Sequence, residues 1–245
     1  MGALDAVILL MPRGDSMIRN SVFFFAALAL FAIAGFRPSY LTRINQESNL
    51  HVHLHGVAMA LWCVMLIAQG YLIRSDQRVL HRALGKFSFV LVPLIVYSTL
   101  SLSHFRLQEA GKEPPADLLY FFYVQLSLLV VFTLAYVLAI ANRRKPSIHA
   151  GYMVCTALTL VDPILARLLF NHLGVDRPRW QILTYGFIDL ILLWLIAWDR
   201  KQRRPVTLFP AMLGVFVIAQ IPTFFLFETP AWHAFALWYG SLPIR

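Results

Sequence analysis

Charge is scarce in this sequence. Asp, Glu, Lys and Arg make up 13% of its 245 residues, where a soluble domain carries about 25%. That deficit excludes an ordinary water-facing globule. Cysteine is nearly absent, and Cys63 and Cys155 both fall inside apolar runs. No disulfide framework can be drawn from two such residues. Lysine is missing from every long apolar run, which excludes a retinal Schiff base. Short alternating strands are missing too, which excludes a β-barrel. No basic surface interleaved with stacking aromatics is present, so nucleic acid is not an expected partner. No internal repeat argues for a transporter built from paired halves.

What the chain has is apolar length. Hydrophobic residues make up 59% of it, gathered into seven runs: 21–36, 52–73, 87–105, 119–141, 150–170, 181–198 and 207–227. Most approach the roughly 20 residues needed to cross a bilayer as a helix. The expected fold is all-α: one domain, residues 1–245, forming an integral membrane bundle of seven transmembrane helices. The first run also reads as a signal peptide preceded by Met1–Arg19, but it is longer than an ordinary leader core, and retention as a span is expected. With the N-terminus cytoplasmic, the inner segments hold most of the basic residues, among them Arg74, Arg78, Arg82 and Lys86 and then Arg143, Arg144 and Lys145. This asymmetry predicts a cytoplasmic N-terminus and an outer C-terminus. The expected location is a bacterial-type inner membrane. The net charge of +9 fits an attraction to anionic membrane lipids.

Histidine is distributed unevenly across this topology. His51, His53 and His55 enter the second span from outside, His104 ends the third, and His172 and His233 lie on the same side. Only His81 and His149 face the cytoplasmic end. Imidazole is a favoured ligand for zinc, iron, copper and haem. On a helix His51 and His55 share a face, with His53 pointing away. They are placed to join His104 from the neighbouring span as ligands of zinc or iron.

Two carboxylates lie in apolar runs, Asp162 in the fifth and Asp189 in the sixth. A carboxylate there is expensive and marks a pathway, a ligand or a buried partner. Either completes the metal shell or acts as a general base. Arg167 is a charge partner on offer to Asp162, and Tyr185 or Thr184 to Asp189. Gln69, Tyr97, Gln125, Tyr185 and Gln220 are further cavity-lining residues, and Pro93, Pro163, Pro210 and Pro222 are positions for helix breaks. On the inner side, VLHRALGKFSF brings His81 and Gly85, and PSIHAGYM brings His149. If His81 and His149 line one cavity, they form a bis-histidine pair for haem b, with an outer pair drawn from His51, His55 and His104.

Two stretches carry a resemblance. HGVAMALWCVMLIAQGYLIR, from His55 and Gly56, resembles the His–Gly, Met, Trp, Gly, Arg pattern of cytochrome b561-type membrane proteins. LHRALGKFSF, with His81 and Gly85, resembles their His-x-x-Leu-Gly element. The same stretches are similar to an uncharacterised bacterial multi-spanning family with a His-Arg-x-x-Gly motif. The resemblance covers roughly residues 50–103. It implies two haems held by histidines, transmembrane electron transfer, and His55 and His81 as ligands, although that group has six spans.

Other classes lack their residues. Membrane hydrolases of the ceramidase and adiponectin-receptor type place paired histidines in the last span, which has none here. Desaturases carry several cytoplasmic histidine boxes. The leading expectation is therefore a metal-dependent oxidoreductase or hydrolase near the outer leaflet, acting on a lipidic or lipid-soluble small molecule. The alternatives are a b-haem electron carrier and a non-enzymatic structural or accessory membrane subunit.

Overall fold

A computed structural model describes residues 15–47, 49–176, 179–202 and 207–243, with side chains from Asn20 onward. The leader-like residues 1–14 and the basic pair Arg203 and Arg204 lie outside the described residues.

Each apolar run winds into a helix, because intrahelical bonding is the way a chain satisfies its own backbone in hydrocarbon. Helix α1 spans Asp15–Phe36. Helix α2 spans Leu50–Arg74 and starts where the Asn49 side chain accepts from the His51 backbone N–H. Helix α3, Arg78–Ala110, stops at Gly111, whose φ is 67°. Helix α4 is Ala116–Ala141. Helix α5, Pro146–Leu173, opens on a proline and closes on left-handed Gly174, the pairing of termini those residues favour. Helix α6 spans Arg179–Lys201, α7 Leu208–Gln220 and α8 Pro230–Ser241.

Six of the expected seven spans are met: among the described residues six helical stretches are long and apolar enough to cross a membrane, the last being Leu208–Glu228, and the apolar part searched in the first helix, Asn20–Phe36, is shorter. No strand occurs among the described residues. Of the four prolines, Pro222 marks a break: α7 ends at Gln220 and continues as 3-10 turns, Ile221–Phe224 and Leu226–Glu228. Pro93 and Pro163 sit inside continuous helices, and Pro210 lies in the first turn of α7, where a missing N–H costs nothing.

Helices α1 to α5 close a ring. Each packs on the next, and α5 returns to α1. Helices α6 and α7 pack outside it against α5, with α7 also on α4, while α8 lies across α3 and α4. The ring interior follows a seven-residue beat, two helical turns: His55, Trp62 and Gln69 on α2; Gln125, Phe132 and Ala139 on α4; His149, Thr156 and Pro163 on α5. On α3 one stripe runs from His81 through Ser88, Ile95 and Thr99 to Arg106. Its middle is filled by Trp62, Leu91, Ile95, Phe132, Cys155 and Leu158, all buried. Outward-facing Leu30, Val64, Phe89, Val130, Leu190 and Ile218 are each more than half exposed. Such a surface suits lipid rather than water.

Alternate ends of the helices fall at two ends of the ring. Arg74, Arg78, Arg82 and Lys86, with Arg143 to Lys145, mark the basic end.

Candidate functional site

At the basic end the first turns of α3 and α5 bring His81 and His149 together, with ring centres 6.4 Å apart and planes at 88°. The His149 Nδ1–H donates to the Ala139 carbonyl of α4 at 2.9 Å. That bond fixes the tautomer and leaves the Nε2 lone pair free, the usual condition of a metal-ligating imidazole. Buried His81 Nδ1 has no hydrogen-bond partner, and neither does Gln69 Oε1 beside it. The Gln69 amide is held there by donating from Nε2 to the His81 carbonyl at 3.2 Å. Gly85, one turn beyond His81, has only Gln69 in front of it, 3.4 Å from where a Cβ would stand. Deeper, Ser88 and Tyr136 share a hydrogen bond of 2.8 Å, and Trp62 Nε1 is buried without a partner. A buried polar atom without a partner is costly, and three of them lie in the seam of α2 and α3.

At the opposite end the helical arrangement of the His51 run holds, but its imidazoles are individually engaged. His51 Nδ1 and Ser101 Oγ share a bond of 2.6 Å, and the ring stacks on Phe105. His53 points away from the ring interior: its Nε2–H donates to the Glu47 carbonyl at 2.8 Å, so its Nδ1 accepts from the Tyr40 hydroxyl at 2.8 Å. His55 Nδ1 lies 3.3 Å from Thr99 Oγ1, whose own hydrogen goes to the Ile95 carbonyl. Buried His104 faces another way, donating from Nε2 to the Leu242 carbonyl at 2.8 Å and meeting Tyr239 edge-on. His51, His55 and His104 are thus not gathered. Among the described residues no three His, Cys, Asp or Glu side chains form a group able to hold a metal ion.

The two carboxylates lie outside the ring, toward α6 and α7. Asp162 Oδ1 accepts from Gln181 Nε2 at 2.7 Å and from Thr184 Oγ1 at 2.5 Å. The Tyr120 hydroxyl donates onward to Gln181 Oε1. Thr184 therefore serves Asp162 rather than Asp189, which instead accepts from Gln220 Nε2 at 3.1 Å. Arg167 makes no direct contact with Asp162. It donates to the Pro163 carbonyl at 3.0 Å and lies over the Phe36 ring at 4.2 Å. Neither carboxylate has a histidine among these hydrogen-bond partners.

Gln181, Ser88 and Tyr136 carry no role in the sequence reading, and Thr184 enters it only as a partner for Asp189. Gln181 and Thr184 are three apart on one helical face, which is a legible signal. Ser88 follows His81 at the seven-residue spacing.

The chain matches no protein family, no curated protein and no solved structure. What remains is its geometry: the described residues are helical, with six stretches long and apolar enough to cross a membrane, and hold a pair of imidazoles that meet inside the helical ring.

Proposed function

We propose that this chain is a b-haem electron carrier of a bacterial-type inner membrane, with its basic end in the cytoplasm and His81 and His149 as the residues that would hold the haem. The observation that carries this reading is the meeting of that pair inside the ring, with centres 6.4 Å apart. Two imidazoles that share one metal ion, each nitrogen about 2 Å from it, have ring centres roughly 5–6 Å apart, so the spacing suits a shared metal. The orphaned His81 Nδ1 and the carbonyl behind His149 support it further.

The side chains around the pair have separable tasks. The Ala139 carbonyl orients His149. Gln69 holds the first turn of α3 from behind through the His81 carbonyl. Gly85 keeps the space between α2 and α3 open. Arg78, Arg82 and Lys86 supply positive charge at this end of the ring, which would suit the carboxylates of a haem. Haem b, when bound, supplies one-electron redox chemistry at this end of the ring. The packed middle, Trp62, Phe132 and Leu158, excludes water from it.

The reading is tested by colour. Protein purified after haem-replete expression is expected to show a Soret band and sharp bands on reduction, and His81→Ala or His149→Ala to lose them. Colourless wild-type protein, or a spectrum indifferent to both changes, overturns it. The outer metal enzyme is not carried as a second reading, because no observation gathers its ligands.

A further inference from the structure

Beyond the break at Pro222 the chain builds a second, smaller apolar cluster, apart from the core of the ring. Leu107 of α3, Leu119 and Phe122 of α4 and Ala236 of α8 are its buried members. Helix α8 is fixed there by hydrogen bonds as well as by packing. The Trp232 Nε1–H donates to the Leu119 carbonyl at 3.0 Å, and the Tyr239 hydroxyl donates to the Leu100 carbonyl at 2.9 Å. The Thr229 side chain caps the helix by accepting from the Trp232 backbone N–H. Between α8, the 3-10 turn Leu226–Glu228 and the first turn of α4 lies an open cleft of about 540 Å³. That volume falls within the range of about 300–1,000 Å³ typical of small-molecule sites.

Leu119, Phe227, Ala234 and Leu237 supply its apolar walls, and three polar side chains stand among them, Glu228, Thr229 and His233. Thr229 is already engaged, since its hydroxyl donates to the Leu226 carbonyl at 2.7 Å and accepts from Trp232. The side chains of Glu228 and His233 bond to no other group among the described residues, and neither is a buried orphan. Both therefore open on the cleft and its mouth. Among the described residues no lysine or arginine lines it. A carboxylate is an acceptor without donors, and a neutral imidazole offers one lone pair beside one N–H. A carboxylate or phosphate head would meet like charge at Glu228 and no cation. The matching head carries N–H donors and positive charge, because an ammonium bonds a carboxylate with charge assistance. The apolar walls require the rest of the ligand to be hydrocarbon or aromatic.

We infer that this cleft binds an amphiphilic amine, with the ammonium at Glu228 and His233 and the apolar body against Leu119, Phe227 and Leu237. The occupant is a free amine rather than an aminophospholipid, because no basic side chain in the cleft meets a phosphate. The site shares no residue with the His81–His149 pair and does not rest on the haem reading.

The test uses the full chain in phosphatidylcholine nanodiscs. Equilibrium dialysis, with empty nanodiscs subtracted, compares phenylbutylamine, phenylbutanol and phenylbutyrate, three heads on one apolar body. The amine is expected to bind tightest and the carboxylate weakest. Glu228→Gln is expected to weaken the amine at least about tenfold, the loss of one charged hydrogen bond, and to leave the alcohol nearly unchanged. His233→Ala is expected to weaken the amine by a smaller factor. Ala234→Trp, which fills the cleft, is expected to remove binding of all three. Glu228 and Ala234 are both exposed, so these variants are expected to fold, and monodispersity with helical circular dichroism establishes it. No binding of the amine, equal affinity for the three heads, or amine binding indifferent to Glu228→Gln or Ala234→Trp in folded protein overturns the inference. Displacement of phenylbutylamine by phosphatidylethanolamine in the nanodisc overturns the choice of a free amine.

Discussion

The two ends of the five-helix ring carry histidines in different arrangements. At the basic end two rings face each other, and one of their nitrogens is an orphan. At the other end there are more, but His51, His53, His55 and His104 each turn to a separate protein partner. The count of imidazoles favours one end and the meeting of two rings favours the other. A shared ligand needs lone pairs within reach of one point, so the meeting is the more informative property. The dense cluster is explained by a polar seam that ties α2, α3 and the Tyr40–Glu47 loop together.

The largest expected effect breaks this comparison directly. His81→Ala and His149→Ala are each expected to abolish the haem spectrum, while His51→Ala and His104→Ala leave it in place. Absorbance of the purified, reduced proteins checks this. Loss of colour in the outer pair with retention in the inner pair would reverse the comparison.

Next in size is the Asp162 cluster, which belongs to neither end. Asp162→Leu takes the acceptor from the Gln181 amide and the Thr184 hydroxyl, both buried, and leaves them only their 3.1 Å bonds to the Thr184 hydroxyl and the Gln181 carbonyl. A buried group stranded outright costs about 1–3 kcal/mol, and hydrogen bonds in membrane proteins average nearer 0.6 kcal/mol. A loss of about 2 kcal/mol is expected, with Asp162→Asn costing less because it still accepts. Denaturation in mixed micelles measures it, and the haem spectrum is expected to stay unchanged. A carboxylate that acts in electron transfer would instead shift the reduction potential.

Smaller again is the closure of the ring by α1. A methyl at Gly35 meets the Ile164 carbonyl at 3.0 Å and one at Gly70 meets the Val22 backbone at 3.1 Å. Backbone cannot step aside as a side chain can, so Gly35→Ala is expected to cost about 1–3 kcal/mol as an overpacking change. It should also displace Phe36 from Arg167, while the His81–His149 spectrum holds.

Much of this arrangement is legible in the sequence. Apolar run lengths give the helices, and the step from Gln220 to Pro222 gives the broken last one. The four-residue spacing of His51 and His55 gives their shared face, and Asn49 is a natural cap. The pairing of His81 with His149 is also readable as an option, since both open helices on the basic side. What the sequence hides is which nitrogen is already taken. Ser101, Thr99 and the Leu242 carbonyl engage the outer histidines from distant positions, and a backbone carbonyl acceptor leaves no mark in residue type. The division of Asp162 from Arg167 is hidden for a related reason. Five positions apart on a helix they face different neighbours, so the choice between Arg167 and Gln181 is made by the packing of α6. Six of the seven expected spans are met among the described residues, and the first apolar run forms α1, which packs on α2 and α5.

The smallest effect concerns the loop that closes over the outer histidines. Tyr40 donates to His53, lies against Gly56 at 3.3 Å from where a Cβ would stand, and has its phenol held above the ordinary value of 10.0 by burial and then by the Glu47 carboxylate. A phenol whose folded value is raised keeps its proton longer in the folded state than in the unfolded one. Its contribution is therefore fully present below the unfolded value and is lost as pH rises through the folded one. The loop is expected to be indifferent to pH through neutrality and to loosen only in the alkaline range above about pH 10. Tyr40→Phe removes the donor to His53 and with it this alkaline dependence, at a cost of well under about 1 kcal/mol for one half-exposed hydrogen bond. Phenolate absorbance and an alkaline melt, compared between wild type and Y40F, read both consequences. An identical alkaline profile in the two proteins would show that the Tyr40–His53 bond does not hold this loop.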